Sequence, residues 1–181
     1  MNIFVTGGCG FIGSNFIRYW LQNYPRDSLL NFDALTYAGN PENLRDVESD
    51  YEGRYEFVHA DICDVAKVDE SVQRFHPDVI INFAAESHNS NAIQNPKIFF
   101  KTNLLGAQTL LDATRKYNVP RFHHISTCEV YGDLALNSNE RFTENSPYNP
   151  QTPYNASKAA ADFAVRAYIG TFHLPATISN C

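Results

Sequence analysis

A doubly wound parallel α/β sheet is the fold that this sequence predicts, and three observations predict it. Short apolar strands alternate with helical patterns along all 181 residues. One of these strands, Asp78-Val79-Ile80-Ile81-Asn82-Phe83-Ala84-Ala85, is a continuous apolar run of the kind that lies buried on both faces of a parallel sheet. The chain also opens on a strand, a glycine-rich turn and a helix, in that order.

That opening comes first. Asn2-Ile3-Phe4-Val5 is the strand, Thr6-Gly7-Gly8-Cys9-Gly10-Phe11-Ile12-Gly13 is the turn, and Phe16, Ile17, Trp20 and Leu21 carry the helical spacing. Alone, such a turn is no more than a tight β-to-α connection. In a dinucleotide site its glycines have separate roles: Gly7 makes the turn, Gly10 leaves room for a pyrophosphate and Gly13 lets the helix pack on the strand. The helix start then presents free N–H groups and a partial positive charge to phosphate. The first helix ends near Tyr24-Pro25. The next strand, Ser28-Leu29-Leu30-Asn31-Phe32, ends at Asp33, 20 residues after Gly13. An acidic residue at that distance binds the adenosine ribose, and Ala34, Leu35 and Thr36 bring no Arg or Lys to meet a 2′-phosphate. NAD is therefore expected rather than NADP.

Pro41 stands at a first helical position before Glu42-Asn43-Leu44, and Tyr55-Glu56-Phe57-Val58-His59 reads as the third strand. Asp64 is an N-cap for a helix bearing Val65, Val68, Val72 and Phe75. After the apolar strand, one long helix is expected from Pro96 to Tyr117, with Phe99, Leu104, Ala107, Leu110, Leu111 and Thr114 on one side. The fifth strand is Arg121–Ser126, and a loop rich in Asn, Glu and Pro runs to about Pro153. A helix from Tyr154 to Phe172 is expected to turn Ala156, Ala160, Phe163, Ala164 and Ala167 to the core, before a last strand over 175–179. The whole is read as one domain, 1–181.

Composition excludes several classes of function. A net charge of −6 leaves no basic footprint for nucleic acid, and no apolar run approaches the span of a bilayer. No basic lead or signal core precedes the first strand, so the expected compartment is the cytoplasm. Cys9, Cys63, Cys128 and Cys181 lie far apart without metal-binding spacing, so no metal is expected.

Tyr154 and Lys158 stand four residues apart and share a helix face. The spacing alone also suits an ordinary surface pair. An ammonium beside a phenol favours phenolate and makes a base able to take a hydroxyl proton. Ser126-Thr127 ends the fifth strand on the same side of the sheet, where open α/β sheets bind ligands.

Together, Thr6–Gly13, Asn82–Ala85, Ser126 and Tyr154-x-x-x-Lys158 resemble the extended short-chain dehydrogenase/reductases acting on nucleotide sugars. Asn31–Asn40, Ala84-Ala85-Glu86-Ser87-His88 and Glu129-Val130-Tyr131-Gly132 narrow the resemblance to the dTDP-glucose 4,6-dehydratases. The resemblance implies a Rossmann fold holding NAD, cytoplasmic deoxysugar chemistry, a nucleotide-diphosphate sugar as substrate and a homo-oligomer, a dimer. It implies that Tyr154, with Lys158 and Thr127, oxidises the sugar at C4, that Glu129 removes the C5 proton, that water leaves from C6 and that hydride returns there. It puts Phe11, Ile12, Ala34, Leu35, Thr36, Asp61, Ile62, Phe83, Ala84, Ala85, Asn103 and Ser126 at the cofactor. Ser87, His88, Thr127 and Asn180 fall to the substrate.

Three departures accompany the resemblance. Cys128 stands where many members carry the Asp that protonates the leaving hydroxyl; a thiol is protonated at neutral pH and can donate, or it can merely fill space. Asn89-Ser90-Asn91-Ala92 replaces a Val-Asp-Arg-Ser continuation, which puts the identity of the sugar in question. The chain ends at Asn180-Cys181, where the family's Ser-Asn-Asn-Tyr-Gly-Pro segment begins, short of most of the C-terminal substrate-binding portion. Related chemistries stay open: a 4-epimerase, a decarboxylase, an exo-glycal-forming dehydratase or a silent NAD-binding fragment.

Overall fold

The structure, a computed structural model, describes residues 1–181. Six strands form one parallel sheet: β1 (Asn2–Thr6), β2 (Ser28–Asp33), β3 (Tyr55–His59), β4 (Val79–Asn82), β5 (Phe122–Ser126) and β6 (Ala176–Asn180), in the spatial order β3-β2-β1-β4-β5-β6. Chain order reverses direction at β1, which lies between β2 and β4, with Val5 opposite both Asn31 and Ile81. The crevice at the carboxyl ends of β1 and β4 is the ligand position of such sheets.

The helices are α1 (Phe11–Asn23), α2 (Arg45–Asp50), α3 (Val65–Phe75), α4 (Asn89–Gln94), α5 (Pro96–Phe99), α6 (Ala107–Lys116) and α7 (Pro153–Phe172). They cover both faces, and alternation along β1 shows why. Ile3 and Val5 pack with Ile17, Leu21, Leu44 and Val47 from the α1–α2 side, while Phe4 packs with Val68, Val72, Leu110, Leu111 and Val165 from α3, α6 and α7. All three β1 side chains are fully buried, each contributing about 1.5–3 kcal/mol of apolar burial. Asp64 caps α3 by accepting from Lys67 N–H, as its type and position predict.

Four expectations need correction. The apolar strand leaves the sheet after Asn82, and 83–85 becomes a wall of the crevice. The single helix over 96–117 is interrupted by a π-helical stretch, Phe100–Gly106, whose wider turns carry buried Asn103 inward. Asn89-Ser90-Asn91-Ala92, read from the sequence as part of a loop that lines the site, lies in the helix Asn89–Gln94. The buried face of α7 is Tyr154, Asn155, Ser157, Lys158, Ala159, Ala161, Asp162 and Val165; Ala156, Ala160 and Ala164 are half-buried, and Phe163 and Ala167 face solvent. This helix buries polar side chains that find partners in β5 and the crevice, so its apolar residues do not mark its inner side.

Candidate functional site

A groove of about 400 Å³ opens along the carboxyl ends of β1, β2, β4 and β5. Its floor is the glycine turn. Gly7 sits at φ +68°, and a Cβ there would lie 2.6 Å from Ala84 N. At Gly13 a Cβ would meet the Gly7 carbonyl oxygen well inside contact distance. Both positions need glycine, the first to turn the chain and the second to seat α1. Gly10 is the N-cap of α1 and no side chain caps this helix, so its first-turn N–H groups remain available at the groove.

Asp33 closes the far side. Its Oδ2 accepts from Cys9 N–H and its Oδ1 from Leu35 N–H, both at 2.8 Å. The carboxylate is fixed in direction, with a lone pair left on each oxygen. An uncapped helix start beside an oriented carboxylate is the donor set that a dinucleotide's pyrophosphate and ribose require, and the residues fit that group. Phe11 and Ile12 line the groove as exposed apolar side chains. Ala34, Thr36, Asp61, Ile62, Phe83, Ala84, Ala85, Ser126, Tyr154 and Lys158 line it too.

Two residues expected at the cofactor, Leu35 and Asn103, do not line the groove. Leu35, at φ +49°, packs into the α1–α2 core and contributes only the N–H that orients Asp33. Asn103 lies behind the wall: its Oδ1 accepts from Glu86 N–H at 2.8 Å, and its amide donates to Glu86 O and Ser157 Oγ. It holds the 84–87 segment against α7. Sequence reasoning did not assign Gly39, Glu86, Lys101 and Thr102 to the lining: Gly39 and Glu86 lie inside stretches that carry the resemblance but received no role of their own, and Lys101 and Thr102 belong to no short motif of fixed spacing.

Tyr154 and Lys158 line one end of the groove. Thr127 follows β5, and Cys128–Tyr131 forms a single 3-10 turn that Thr127 caps, outside the groove lining but beside Tyr154. The Tyr154 phenol has its pKa raised by burial and then by the Glu129 charge, with the nearby Thr127 hydroxyl acting in the opposite sense. The Lys158 ammonium, one helical turn from that phenol, donates to Ile125 O at 2.7 Å. Full burial brings Lys158 down to about 8. Cys128 is exposed, with its N–H donating to Cys181 O at 2.8 Å.

Glu129 is half-buried and accepts at Oε2 from Asn89 Nδ2 at 3.1 Å. Asn89 Oδ1 in turn accepts from Thr152 Oγ1 at 2.8 Å, and Thr152 caps α7 by accepting from Asn155 N–H. One of the departures from the family pattern thus ties Glu129 to the start of the Tyr154 helix. Of the residues assigned to substrate, Ser87 lines the groove and His88 caps α4 with its ring against Tyr37. The Tyr37 hydroxyl accepts from both Ser87 and His88 N–H at 3.3 Å, joining the loop after β2 to the loop after β4. Asn180 lies outside the groove, donating to Thr127 O and accepting from Tyr131 OH. No cluster of His, Cys, Asp and Glu could hold a metal ion.

A profile of the GDP-mannose 4,6 dehydratase family matches residues 4–181. The chain is 49% identical to the dTDP-glucose 4,6-dehydratase of Mycobacterium tuberculosis, over all of this chain and 53% of that protein. It is also 49% identical to that of Neisseria gonorrhoeae, over 99% and 54% of the two chains. The chain spans about half the length of these curated relatives. Among solved structures, a dTDP-glucose 4,6-dehydratase of Streptomyces venezuelae with NAD bound superposes with a TM-score of 0.92 at 42% identity, over 100% of this chain and 55% of that one. A UDP-glucose 4-epimerase of Thermus thermophilus in complex with NAD gives 0.87 at 30%, over 99% and 54%.

Proposed function

The chain belongs to the GDP-mannose 4,6 dehydratase family, and we propose that it serves the NAD-dependent dehydration of a nucleotide-diphosphate sugar of the dTDP-glucose type. The observation that carries this reading is that Tyr154 lines one end of the dinucleotide groove with Thr127, Cys128 and Glu129 close enough to act on its phenol. NAD, when bound, supplies a hydride acceptor and then a hydride donor. Asp33 would hold its adenosine ribose, and the uncapped start of α1 its pyrophosphate.

The chain's own residues handle protons. Tyr154 acts as a phenolate, which buried Lys158 one turn along the helix and the positive charge of NAD, when bound, would favour against burial and the Glu129 charge, and it takes the proton of the sugar C4 hydroxyl. Glu129 takes the proton at C5, acidified by the ketone at C4, from a position fixed by Asn89. The Cys128 thiol gives its proton to the departing C6 hydroxyl, which leaves as water. Glu129 separates this reading from a 4-epimerase, which needs no base at C5.

The test is to incubate the chain with NAD and dTDP-glucose and weigh the product. The expected product is lighter by one water, and Glu129→Gln should abolish it while leaving NAD binding intact. Unchanged sugar mass with NAD bound would leave this chain a cofactor-binding unit without dehydratase turnover.

A further inference from the structure

Lys158 is a cation in an enclosed place: its residue is 3% exposed, and its one hydrogen bond goes to a neutral carbonyl. A buried ammonium is costly unless an opposite charge answers it. The carboxylate that acts on it is Asp162, one helical turn further along α7 and 0% exposed. The acid–base pair itself makes no use of Asp162, yet a directed set of hydrogen bonds converges there.

Its Oδ2 accepts from Ser126 Oγ at 2.7 Å and from Tyr148 OH at 3.0 Å. Its Oδ1 has no hydrogen-bond partner and faces His124 Nε2, also unpartnered, at 3.7 Å. A chain that starts in β1 decides which ring nitrogen of His124 carries the proton. Ala84 N–H donates to Thr6 Oγ1, so the Thr6 hydroxyl gives its own proton to Asn82 Oδ1, at 2.6 Å. That leaves the Asn82 amide nitrogen to donate to His124 Nδ1, at 3.1 Å. The His124 proton is then on Nε2, aimed at Asp162. Two hydroxyls bond this carboxylate, the His124 N–H faces it at 3.7 Å, and Lys158 stands one helical turn before it.

We propose that Asp162 is a positioning residue of the site: the buried counter-charge of Lys158, and the anchor that holds Ser126 and His124 of β5 against α7. The inference rests on the reading of Tyr154 and Lys158 as the acid–base pair and adds to it the group that keeps Lys158 charged. The groups facing Asp162 are Ser126 and His124 from β5, Tyr148 from the loop before α7, and Lys158 and Arg166 from α7 itself, with Arg166 donating to Tyr148 OH.

Nuclear magnetic resonance on the ligand-free chain, with labelled lysine and histidine, tests this without reference to turnover. The Lys158 methylene signals are expected to titrate about one pH unit or more lower in Asp162→Asn than in the unsubstituted chain. The ring nitrogens of His124 are expected to show the Nε2–H form between pH 6 and 8, as the chain from Ala84 requires. Equal Lys158 midpoints in the two proteins, with both folded, would overturn the proposal, because a structural anchor alone leaves that titration in place. If Asp162→Asn does not fold, the unsubstituted chain decides: a proton on Nδ1 of His124 overturns the arrangement and Nε2–H upholds it. A failed dehydration assay beside a shifted Lys158 midpoint would count against the proposed reaction and not against the counter-charge.

Discussion

Asp33 and Tyr154 line the same groove at different tasks, and single substitutions should separate them. Asp33→Ala removes a carboxylate that two backbone N–H groups orient, and should weaken NAD binding by one to two orders of magnitude, on the order of 1.5–3 kcal/mol for a hydrogen bond to a charged group. Tyr154→Phe should leave binding nearly unchanged and stop turnover. Calorimetric titration of both variants checks this, and equal losses would contradict the assignment. Lys158 gives a second test at this scale. Unfolded, it titrates near the ordinary 10.5; folded, at about 8. Between those values the unfolded chain still holds a proton that the folded chain has released, so the contribution of Lys158 to stability rises with pH across that window. Below about 8 the full cost of burying the ammonium is present. Relative to Lys158→Met, the unsubstituted chain should gain about 2–3 kcal/mol between pH 8 and 10.5, read by denaturant unfolding at a series of pH values. A difference that stays flat with pH would mean that Lys158 is not buried as an ammonium.

At the scale of the element, α7 is the piece on which the site depends, and Thr152 starts it. The Thr152 hydroxyl both caps the helix and donates to Asn89, which holds Glu129. Thr152→Ala should cost about 1 kcal/mol of stability, seen as a lower denaturant midpoint, and Thr152→Ser should restore it. Elements set by short-range rules were legible in the sequence: the strands by their apolar runs, α1 by the glycine turn before it, α3 by Asp64. The parts that were not legible depend on distant partners. The inner face of α7 is chosen by the bonds of Asp162 to β5 and the loop, and of Ser157 to Asn103, against its own alanine and phenylalanine spacing. The π-helical stretch at Phe100–Gly106 is matched to Asn103, whose partners Glu86 and Ser157 lie far off in sequence. Within the site, motif residues were found at the groove, whereas Asn89 and Asp162 carry no local signal of the bonds they make.

On the scale of the whole molecule, the sheet leaves β3 and β6 as edges, and α7 leaves Phe163, Ile169 and Phe172 exposed, as is Leu105 of the π-helical stretch. Unpaired sheet edges and exposed apolar side chains favour self-association. Sedimentation at increasing concentration should show a species of twice the chain mass, and Phe163→Glu should shift it toward the monomer; a monomer at all concentrations would remove the homo-oligomer from the account. No helix is long and apolar enough to cross a membrane. The Tyr37 hydroxyl, finally, has a consequence in time rather than in affinity. It joins the loop after β2 to the loop after β4, both of which line the groove, and a molecule bound between them is expected to leave more slowly while the bonds from Ser87 and His88 hold. Residence is then set by the opening of that latch, and Tyr37→Phe should shorten the lifetime of bound NAD in a stopped-flow chase more than it changes the rate of capture. A coenzyme restored at the end of every cycle has no need to leave, so a slow latch would make a diffusible carrier behave as a fixed part of the protein.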